Sequence, residues 1–565
     1  MPETNKLALG LDFGTESVRA LLIDLEGREQ ASAVASYAHG QITDELPGTG
    51  EQLPPNFAFQ HPQDWLDSSA QAVREAVQQA GPNRAGAVLS IGVDFTSCTM
   101  LPTLRDGTPL CLLEEFSAEK FAWPKLWKHH GAERQTQRIN DLARQRQEPW
   151  LARYGGIIGL EWFFPKVLET LEVAPAIYEA ADVWLEAGDW YVWQLVGGDA
   201  SDLPRSTCQA GYKAMWHGTE GYPAPEFFAA LHPRMADVVA SKMPGRLLAP
   251  GVAAGRLCDK LANRLGLPAG LPVSAATIDA HAGVPGAGVA DPGTLVMVMG
   301  TSSCHMLNAR EERAVPGVAG VVEGGILPGM FGYETGQAAV GDAFDWLRRM
   351  VGRDDFDQLT QQAALLPPGA EGVRCVDWFH GCRTPLMDGS LRGAFTGLTL
   401  SHGAHHMYRA LLEASACGVR WIVEILRASG VPVEKLVATG GLPHHNPLLV
   451  QIYADVLGEP IAIHPSKQGP ALGAAILGVL AAGPQASPFQ STAEAIQAMA
   501  GPKSDKPKSD GPGGPSDPGS GDPPRKCKGQ GNPRESVVVH PDKDAHNTYS
   551  TVYAAYRKLA EFLAT

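Results

Sequence analysis

Two apolar strand patterns, each running into a turn of glycine, threonine and serine, constrain the fold of this chain most. Residues 7–13 (LALGLDF) lead into residues 14–17 (GTES), and residues 294–299 (TLVMVM) lead into residues 300–303 (GTSS). Both turns are rich in backbone N–H and hydroxyl donors, which can hold a phosphate group. Either turn alone could be an ordinary hairpin. Together they favour a nucleotide polyphosphate clamped between two hairpins of related halves that meet at a cleft.

The sequence between and around these turns has the pattern of an α/β protein. A helical pattern over residues 64–79 precedes a buried strand over residues 87–95, and a long core helix is predicted over residues 407–428. Strands that alternate with helices place functional groups at the ends of the strands.

The stretch at residues 266–272 (GLPAGLP) marks the expected boundary between an N-terminal domain, residues 1–267, and a C-terminal domain, residues 268–565. Within the second domain, eight Gly and eight Pro occupy 16 of the 33 positions of residues 501–533, whose only apolar side chain is Cys527. Such a segment cannot bury enough surface to offset the entropy of ordering, so we expect a disordered loop there.

Composition disfavours several classes of function. The 565 residues include 46 Lys plus Arg and 61 Asp plus Glu, so the formal net charge is −15. A chain this acidic is not expected to bind nucleic acid or an anionic membrane surface. The nine cysteines form no C-x-x-C pair, and the sequence has neither a secretory pattern nor a run of ~18 apolar residues. We therefore expect a soluble cytoplasmic protein.

Two further features bear on nucleotide binding. Asp12 stands at the end of the first strand, where a carboxylate can orient the Mg²⁺ that accompanies a phosphate. An ordinary hairpin with an aspartate in its turn explains these residues equally well.

Gly440 and Gly441 follow an apolar strand pattern and would let the backbone approach a flat ligand closely. A glycine-rich turn before a helix that starts at Pro447 is the alternative.

Asp279 is the candidate catalytic base. It follows an apolar strand pattern among small residues in the segment VSAATIDAHAG, residues 273–283. A carboxylate there could accept a hydroxyl proton as the hydroxyl oxygen attacks phosphorus. The competing interpretation is an N-cap for a helix that starts at His281, since aspartate is a favoured capping residue. On these residues alone the cap is the better interpretation.

Several other polar side chains stand out because their sequence neighbours are apolar or small. They are Asp94, Thr96, Lys213 and Glu334, together with the aromatic-rich residues 123–130. Carboxylates, lysines and hydroxyls beside a tryptophan face typically hold polyols. Taken one at a time, each is more simply a surface charge or a core aromatic residue.

The motifs, taken in order, resemble those of a known family. They are DFGT with SVRALL, GVDFTS, KLW, AGYKAMW, TIDAHAG, MGTSS, YETGQAAVGD, ATGGL with NPLL, and PALGAA. This order resembles the FGGY carbohydrate kinases and, within them, the L-ribulokinase branch, to which RSTCQAGYKAMW and EWFFPK are peculiar. The resemblance runs from about residue 7 to residue 483 and resumes over the last helix.

The resemblance implies an α/β fold of two ribonuclease H-like, actin-like ATPase domains that flank a catalytic cleft. That cleft would hold Mg-ATP and a sugar. The implied reaction is transfer of the γ-phosphoryl group of ATP to the 5-hydroxyl of L-ribulose, a step of L-arabinose catabolism.

The resemblance also implies roles for individual residues. Asp279 matches the catalytic base, and Asp12 would act on Mg²⁺ through water. The implied sugar contacts are Lys213 and Glu334, with Asp94, Thr96 and Trp127 as neighbours. The implied nucleotide contacts are Gly14, Thr15 and Ser17 in the first turn, Gly300, Thr301 and Ser302 in the second turn, and Gly440, Gly441 and Asn446 on the adenosine side.

The chain departs from this branch at three places. Residues 157–160 (IIGL) lack the usual lysine and serines, and Cys382 stands where asparagine is usual. Lys467 and Gly469 stand where an acidic residue and a threonine are more usual. These departures bear on substrate preference rather than on the reaction class.

Two alternative functions stay open. One is another FGGY kinase that acts on D-ribulose, xylulose, ribitol or glycerol. The other is an actin-type ATPase without a sugar substrate, against which Asp279 and the pair Lys213 and Glu334 argue. The chain has no G-x-x-x-x-G-K-[ST] motif, which excludes a P-loop. The sequence does not fix the oligomeric state, and a homodimer stays open.

Overall fold

The chain forms two mixed β-sheets in a computed structural model that describes residues 6–502 and 536–565. The predicted disordered loop lies outside the described residues, apart from its first two positions. The first sheet contains Leu7–Phe13, Ser17–Asp24, Glu29–Ser36, Val88–Phe95, Ala253–Arg256, Pro272–Ser274 and Thr277–Ile278. The second sheet contains Thr294–Met299, Ser303–Ala309, Gly320–Glu323, Phe331–Gln337, Lys435–Thr439, Ile461–Ile463 and Val537–Val539.

The two sheets repeat the same arrangement of strands. In the first sheet, Leu7–Phe13 pairs antiparallel with the strand after its turn and parallel with Val88–Phe95. In the second sheet, Thr294–Met299 pairs antiparallel with the strand after its turn and parallel with Lys435–Thr439. The two glycine–threonine turns therefore occupy equivalent corners of their sheets, and the similarity seen in the sequence extends to topology.

Helices and three short strand pairs surround the sheets. The helices are Pro62–Ala80, Glu133–Arg146, Phe163–Val173, Pro175–Ala180, Ala187–Val196, Thr207–Lys213, Pro225–Leu231, Val238–Lys242, Asp259–Leu265, Asp279–Gly286, Gly341–Met350, Asp357–Ala364, Ala404–Ala428, Gly441–His445, Pro447–Leu457, Gly469–Ala481, Thr492–Met499 and Lys543–Leu563. The short pairs join Met100–Thr103 to Val183–Glu186, Pro204–Ser206 to Arg246–Leu248, and Arg374–Val376 to Ala394–Thr396. Over the described ranges, none of the helices has both the length and the apolar character needed to cross a bilayer.

The strongest sequence patterns are confirmed, with small shifts at their ends. The helix predicted over residues 407–428 is Ala404–Ala428, and its apolar side chains face the core of the second half. The strand predicted over residues 87–95 is Val88–Phe95, which is almost entirely buried. Long periodic segments are predictable because packing reinforces the local pattern at every turn or alternate residue.

The boundary predicted after residue 267 falls inside the first sheet. The strands Pro272–Ser274 and Thr277–Ile278 both return to pair in parallel with Val88–Phe95. These strands are two or three residues long, so they carry no periodic signal that the sequence could have revealed. If each strand is assigned to the sheet in which it pairs, the chain passes to the second sheet only after Ile278. The division into two domains stays a prediction.

The helix Gly469–Ala481, called the bridging helix below, lies in backbone contact with the first sheet. A Cβ atom on Gly10 would lie 1.9 Å from a carbonyl oxygen of this helix, and one on Gly92 would lie 1.7 Å from another. The bridging helix approaches the helix Asp279–Gly286 equally closely, because a Cβ atom on Gly473 would lie 1.8 Å from the carbonyl oxygen of Ala282. Only glycine allows this approach.

We expect Gly473→Ala to lower the free energy of unfolding by about 2 kcal/mol or more, because the added methyl group meets backbone that cannot move away. Urea unfolding followed by tryptophan fluorescence measures this. The matched control is Gly86→Ala, whose Cβ atom would meet no atom of the described residues within 4 Å. Equal stability of the two variants would contradict the proposed tight contact.

Candidate active site

Three aspartates meet at the carboxyl ends of neighbouring strands of the first sheet. Asp12 and Asp94 lie directly opposite each other in the parallel pair formed by Leu7–Phe13 and Val88–Phe95. Thr277 is the register partner of Asp94 on its other side, and Asp279 follows two residues later. Carboxyl ends of parallel strands are common positions for ligand-binding groups.

The pKa values of all three carboxyl groups lie above their ordinary range, chiefly because the groups are buried. Burial raises the pKa of Asp12, although Arg19, with its Nη1 atom 3.4 Å from the Asp12 Oδ2 atom, opposes the rise. Burial raises the pKa of Asp94 well above its usual range, and the charges of Asp12 and Asp279 add to that effect. Burial and then the charge of Asp12 raise the pKa of Asp279 to about 7. The cluster thus disfavours its own full ionisation.

This cluster fits the oxygen ligands that Mg²⁺ prefers. Asp94 is fully buried, and no N–H or hydroxyl group of the described residues donates to either of its carboxylate oxygens. The resemblance implies a place near the sugar contacts for Asp94, and the structure sets it directly opposite Asp12.

Asp279 does not cap a helix that starts at His281. The helix begins at Asp279 itself, with Ile278 at the N-cap position. The Asp279 Oδ1 atom accepts a hydrogen bond of 2.6 Å from the backbone N–H of Ala280. That alternative interpretation is therefore wrong, and the second carboxylate oxygen of Asp279 is not used as a cap.

The first glycine–threonine turn is held from several sides. The backbone N–H of Gly14 donates to the carbonyl of Ser17 at 3.0 Å, which closes the turn. Gln60 Nε2 donates to the Thr15 carbonyl at 2.8 Å, and Trp127 Nε1 donates to the Thr15 hydroxyl at 3.1 Å. Trp127, expected beside the sugar contacts, therefore also contacts the predicted phosphate turn.

Thr96 lies next to this turn, in the loop that follows Val88–Phe95. Its backbone N–H donates to the carbonyl of Phe13 at 3.1 Å. Its hydroxyl lies 2.9 Å from that of Thr99, and the residue is almost fully buried. The structure thus brings Thr96 close to Asp12 and Asp94 through the backbone of their two strands.

The second turn and the Gly440 loop lie side by side. The backbone N–H of Gly300 donates to the carbonyl of Ser302 at 2.9 Å, and the Thr301 carbonyl accepts from the start of the next helix. Gly440 has φ of +93°, and a Cβ atom on it would lie 2.5 Å from the carbonyl oxygen of Met299. Only glycine fits that position. Gly441 differs, because its Cβ atom would meet no atom of the described residues within 4 Å.

Asn446 is occupied by structural hydrogen bonds. Its Oδ1 atom accepts from the backbone N–H of Leu449 at 3.1 Å, which caps the helix Pro447–Leu457. Its Nδ2 atom donates to the Tyr408 hydroxyl at 3.0 Å. The role implied for Asn446 on the adenosine side stays a prediction. These hydrogen bonds also give the residue a structural role at the start of the helix.

Lys213 and Glu334 form a buried ion pair between the two halves of the chain. Lys213 Nζ lies 2.9 Å from both carboxylate oxygens of Glu334, and each side chain is only 2% exposed. Lys213 ends the helix Thr207–Lys213, whereas Glu334 lies in the second sheet. The two residues that the sequence predicted together are therefore in direct contact.

Two further groups complete this ion cluster. Arg383 Nη2 contacts the Glu334 carboxylate, and His281 Nε2 lies 3.5 Å from Glu334 Oε2. Burial alone would raise the pKa of Glu334, but the charges of Lys213 and Arg383 hold it at about 2. Burial lowers the pKa of His281 to about 3, so its imidazole stays neutral. Trp162 adds a ring face 5.8 Å from Lys213 Nζ.

Neither Arg383 nor Trp162 was predicted to be part of the site. Arg383 lies in a loop next to Cys382, where the resemblance departs from its usual pattern, and a loop arginine has no periodic signal. Trp162 directly precedes the helix Phe163–Val173. Its segment supports the family resemblance, but no role for the Trp162 side chain was predicted from it.

Comparison with known proteins gives a consistent result. A model of the C-terminal domain of the FGGY family of carbohydrate kinases matches residues 295–482. A ribulokinase of Shouchella clausii is 46% identical over 512 residues, which cover 88% of this chain and 90% of that protein. A ribulokinase of Mycolicibacterium smegmatis is 46% identical over 496 residues, covering 85% and 87%.

The fold is shared with solved kinase structures. The crystal structure of a xylulose kinase from Rhodospirillum rubrum has a TM-score of 0.74 at 22% identity, and the match covers 99% of this chain and 100% of that one. This likeness confirms the predicted fold class, α/β with two ribonuclease H-like, actin-like parts.

We expect Glu334→Gln to lower the free energy of unfolding at pH 7 by about 3 kcal/mol, because Lys213 and Arg383 stay buried without their counter-charge. The folded-state pKa of Glu334, about 2, lies below its ordinary value of 4.5. Its charge therefore stabilises the fold above about pH 4.5, and that stabilisation is lost as the pH falls toward 2.

Urea unfolding at several pH values measures this difference, which should shrink steadily below pH 4.5. The control is Glu311→Gln, because Glu311 is paired with Arg313 at the surface and is 68% exposed. Removing an exposed pair should change stability by less than about 1 kcal/mol. If the difference in unfolding free energy between wild type and Glu334→Gln does not depend on pH, the stabilisation does not come from the charge of Glu334.

Proposed function

The chain belongs to the FGGY family of carbohydrate kinases, and we propose that it is a ribulokinase, which transfers the γ-phosphoryl group of ATP to the 5-hydroxyl of L-ribulose. Ribulokinases at 44–46% identity over most of the chain support this substrate. The observation that carries the mechanism is the position of Asp279, which lies between the carboxyl group of Asp12 and the ion pair of Lys213 with Glu334. Its pKa responds to Asp12 on one side and to Glu334 and Lys213 on the other.

Proton removal is the role proposed for Asp279. The 5-hydroxyl gives its proton to an Asp279 carboxylate oxygen while the hydroxyl oxygen bonds to the γ-phosphorus, and the bond from that phosphorus to ADP breaks. A sugar hydroxyl is a poor nucleophile near neutral pH, so a positioned base is required. A pKa of about 7 suits this role, because a base is most effective when its pKa lies near the working pH.

Lys213 and Glu334 are proposed to orient the sugar. Together they offer ammonium donors and carboxylate acceptors, which suit the alternating hydrogen-bond needs of neighbouring hydroxyl groups. Their burial keeps competing water away, and the ion pair joins parts of the chain that belong to different halves. Closure of the halves around the sugar would exclude water from the phosphoryl group and limit wasteful hydrolysis of ATP.

The two glycine–threonine turns and the Gly440 loop are proposed to hold ATP. Gly14, Thr15 and Ser17, then Gly300, Thr301 and Ser302, offer backbone N–H and hydroxyl donors to the phosphates. Gly441, with open space at its Cβ position, suits the adenosine side. Bound Mg²⁺ would neutralise phosphate charge, and the oxygens of Asp12, through water, and of Asp94 fit that ion.

We expect release of ADP to depend on a sugar, with the highest kcat/KM for L-ribulose. A coupled assay that compares L-ribulose with D-ribulose, xylulose, ribitol and glycerol measures this preference. A higher kcat/KM for one of the others would replace the proposed substrate within the same family. ATP hydrolysis that is indifferent to every sugar would favour an actin-type ATPase instead.

We expect Asp279→Asn to fold and to bind ATP but to lose sugar phosphorylation by about a hundredfold or more, because the amide cannot accept the proton. Thermal shift on adding Mg-ATP checks folding and binding, and the coupled assay gives kcat. Asp291→Asn, at an exposed position, is the matched control and should keep wild-type turnover. Near-normal turnover of Asp279→Asn would show that another group removes the proton.

A further inference from the structure

Two buried polar side chains beside the ion cluster have no side-chain hydrogen-bond partner among the described residues. Both polar atoms of the Gln209 amide lack a hydrogen bond to any described residue, and the Glu186 carboxyl group has no side-chain partner there, with only the backbone N–H of Cys98 near enough to lower its pKa. Glu186 is 4% exposed and Gln209 is fully buried. Buried polar groups in folded proteins are nearly always hydrogen-bonded, so two unpaired groups close together point to a ligand.

Gln209 lies on the same helix as Lys213, one turn earlier. Residues four apart on a helix project from the same face, so the Gln209 amide and the Lys213 side chain lie on the same face of this helix. A Cβ atom on Gly188 would lie 2.8 Å from Gln209 Nε2 and 3.1 Å from the Cβ atoms of Ala276 and Phe95. The Gln209 amide is therefore next to the strand ends that carry Asp94 and lead to the Asp279 helix.

Glu186 approaches the same region from another element. It ends the strand Val183–Glu186 and pairs with Met100, and the next backbone N–H donates to the carbonyl of Thr99 at 2.6 Å. The hydroxyl of Thr99 in turn contacts Thr96. Burial raises the pKa of Glu186 to about 8, while the nearby charges of Lys166 and Lys213 oppose the rise. At neutral pH this group is a carboxylic acid, which both donates and accepts.

We infer that Glu186 and Gln209 form the inner wall of the sugar site and determine which polyhydroxy substrate it accepts. This inference rests on the proposed function. An amide and a neutral carboxylic acid supply donors and acceptors for a ketone oxygen and its neighbouring hydroxyl groups. They would contact polar groups of the substrate other than the hydroxyl that is phosphorylated.

A site built from such groups discriminates strongly, because a substrate that lacks a matching group leaves a buried polar atom unpaired. An open-chain polyol such as ribitol has a hydroxyl group in place of the ketone. Glu186 and Gln209 are thus suited to distinguish a ketopentose from a polyol, whereas Lys213 and Glu334 can serve either.

The test replaces each group by an apolar side chain of similar size. We expect Gln209→Leu and Glu186→Leu each to raise the KM for L-ribulose about tenfold or more and to reduce the preference for L-ribulose over ribitol. The KM for ATP should change less than about twofold, because neither residue is among those proposed to hold ATP. The coupled ADP assay gives both constants.

The matched control is Asn308→Leu. Asn308 is also fully buried in the second sheet with an unpaired amide, but it lies at the end of its strand remote from the Gly300 turn. This control should leave both KM values unchanged even if it lowers stability. Unchanged sugar KM in the Glu186 and Gln209 variants would overturn the inference, and so would parallel increases in the KM for the sugar and for ATP.

If the leucine variants do not fold, Glu186→Asp and Gln209→Asn provide the test. Each keeps the polar group and withdraws it by one methylene group, so each should still raise the sugar KM selectively. A wild-type preference for a different sugar would overturn the proposed substrate alone. The same variants, assayed with that sugar, would then decide separately whether Glu186 and Gln209 contact it.

Discussion

The buried contact between Lys213 and Glu334 is the interaction on which the arrangement of the site depends. Removing two opposite charges from water is costly, and their attraction offsets that cost only when the geometry is good and other partners help. Arg383 supplies that help from the second half. Because the charges come from different halves, the pair is complete only when the halves are together.

On the other side of the site, carboxyl groups of like charge lie together instead of in an ion pair. Asp12, Asp94 and Asp279 crowd together with Arg19 as a weakly placed counter-charge 3.4 Å away. Burial raises the pKa values of all three, the charge of Asp12 adds to the rise at Asp94 and Asp279, and the cluster is left with a local demand for positive charge. The chain thus neutralises the charges on the proposed sugar side with its own side chains, whereas the proposed phosphate side is suited to a cation that arrives with the nucleotide.

The sequence predicted the long elements and the residues at their ends, because local patterns there agree with the final packing. The strands before the two turns and the helix Ala404–Ala428 belong to this group, whereas the direct contact of Lys213 with Glu334 was not predicted. The return of Pro272–Ser274 to the first sheet could not be predicted, since a three-residue strand carries no period. Arg383, Glu186 and Gln209 were missed because their roles arise from contacts between distant segments.

The glycine contacts of the bridging helix have a mechanical consequence. Most packed elements interlock through side chains that must disengage before the elements can shift. Where Gly10, Gly92 and Gly473 bring backbone against backbone, there are few such projections to separate. At these three positions the backbones themselves set the spacing between the bridging helix, the first sheet and the Asp279 helix, so that any atom added there forces the elements apart.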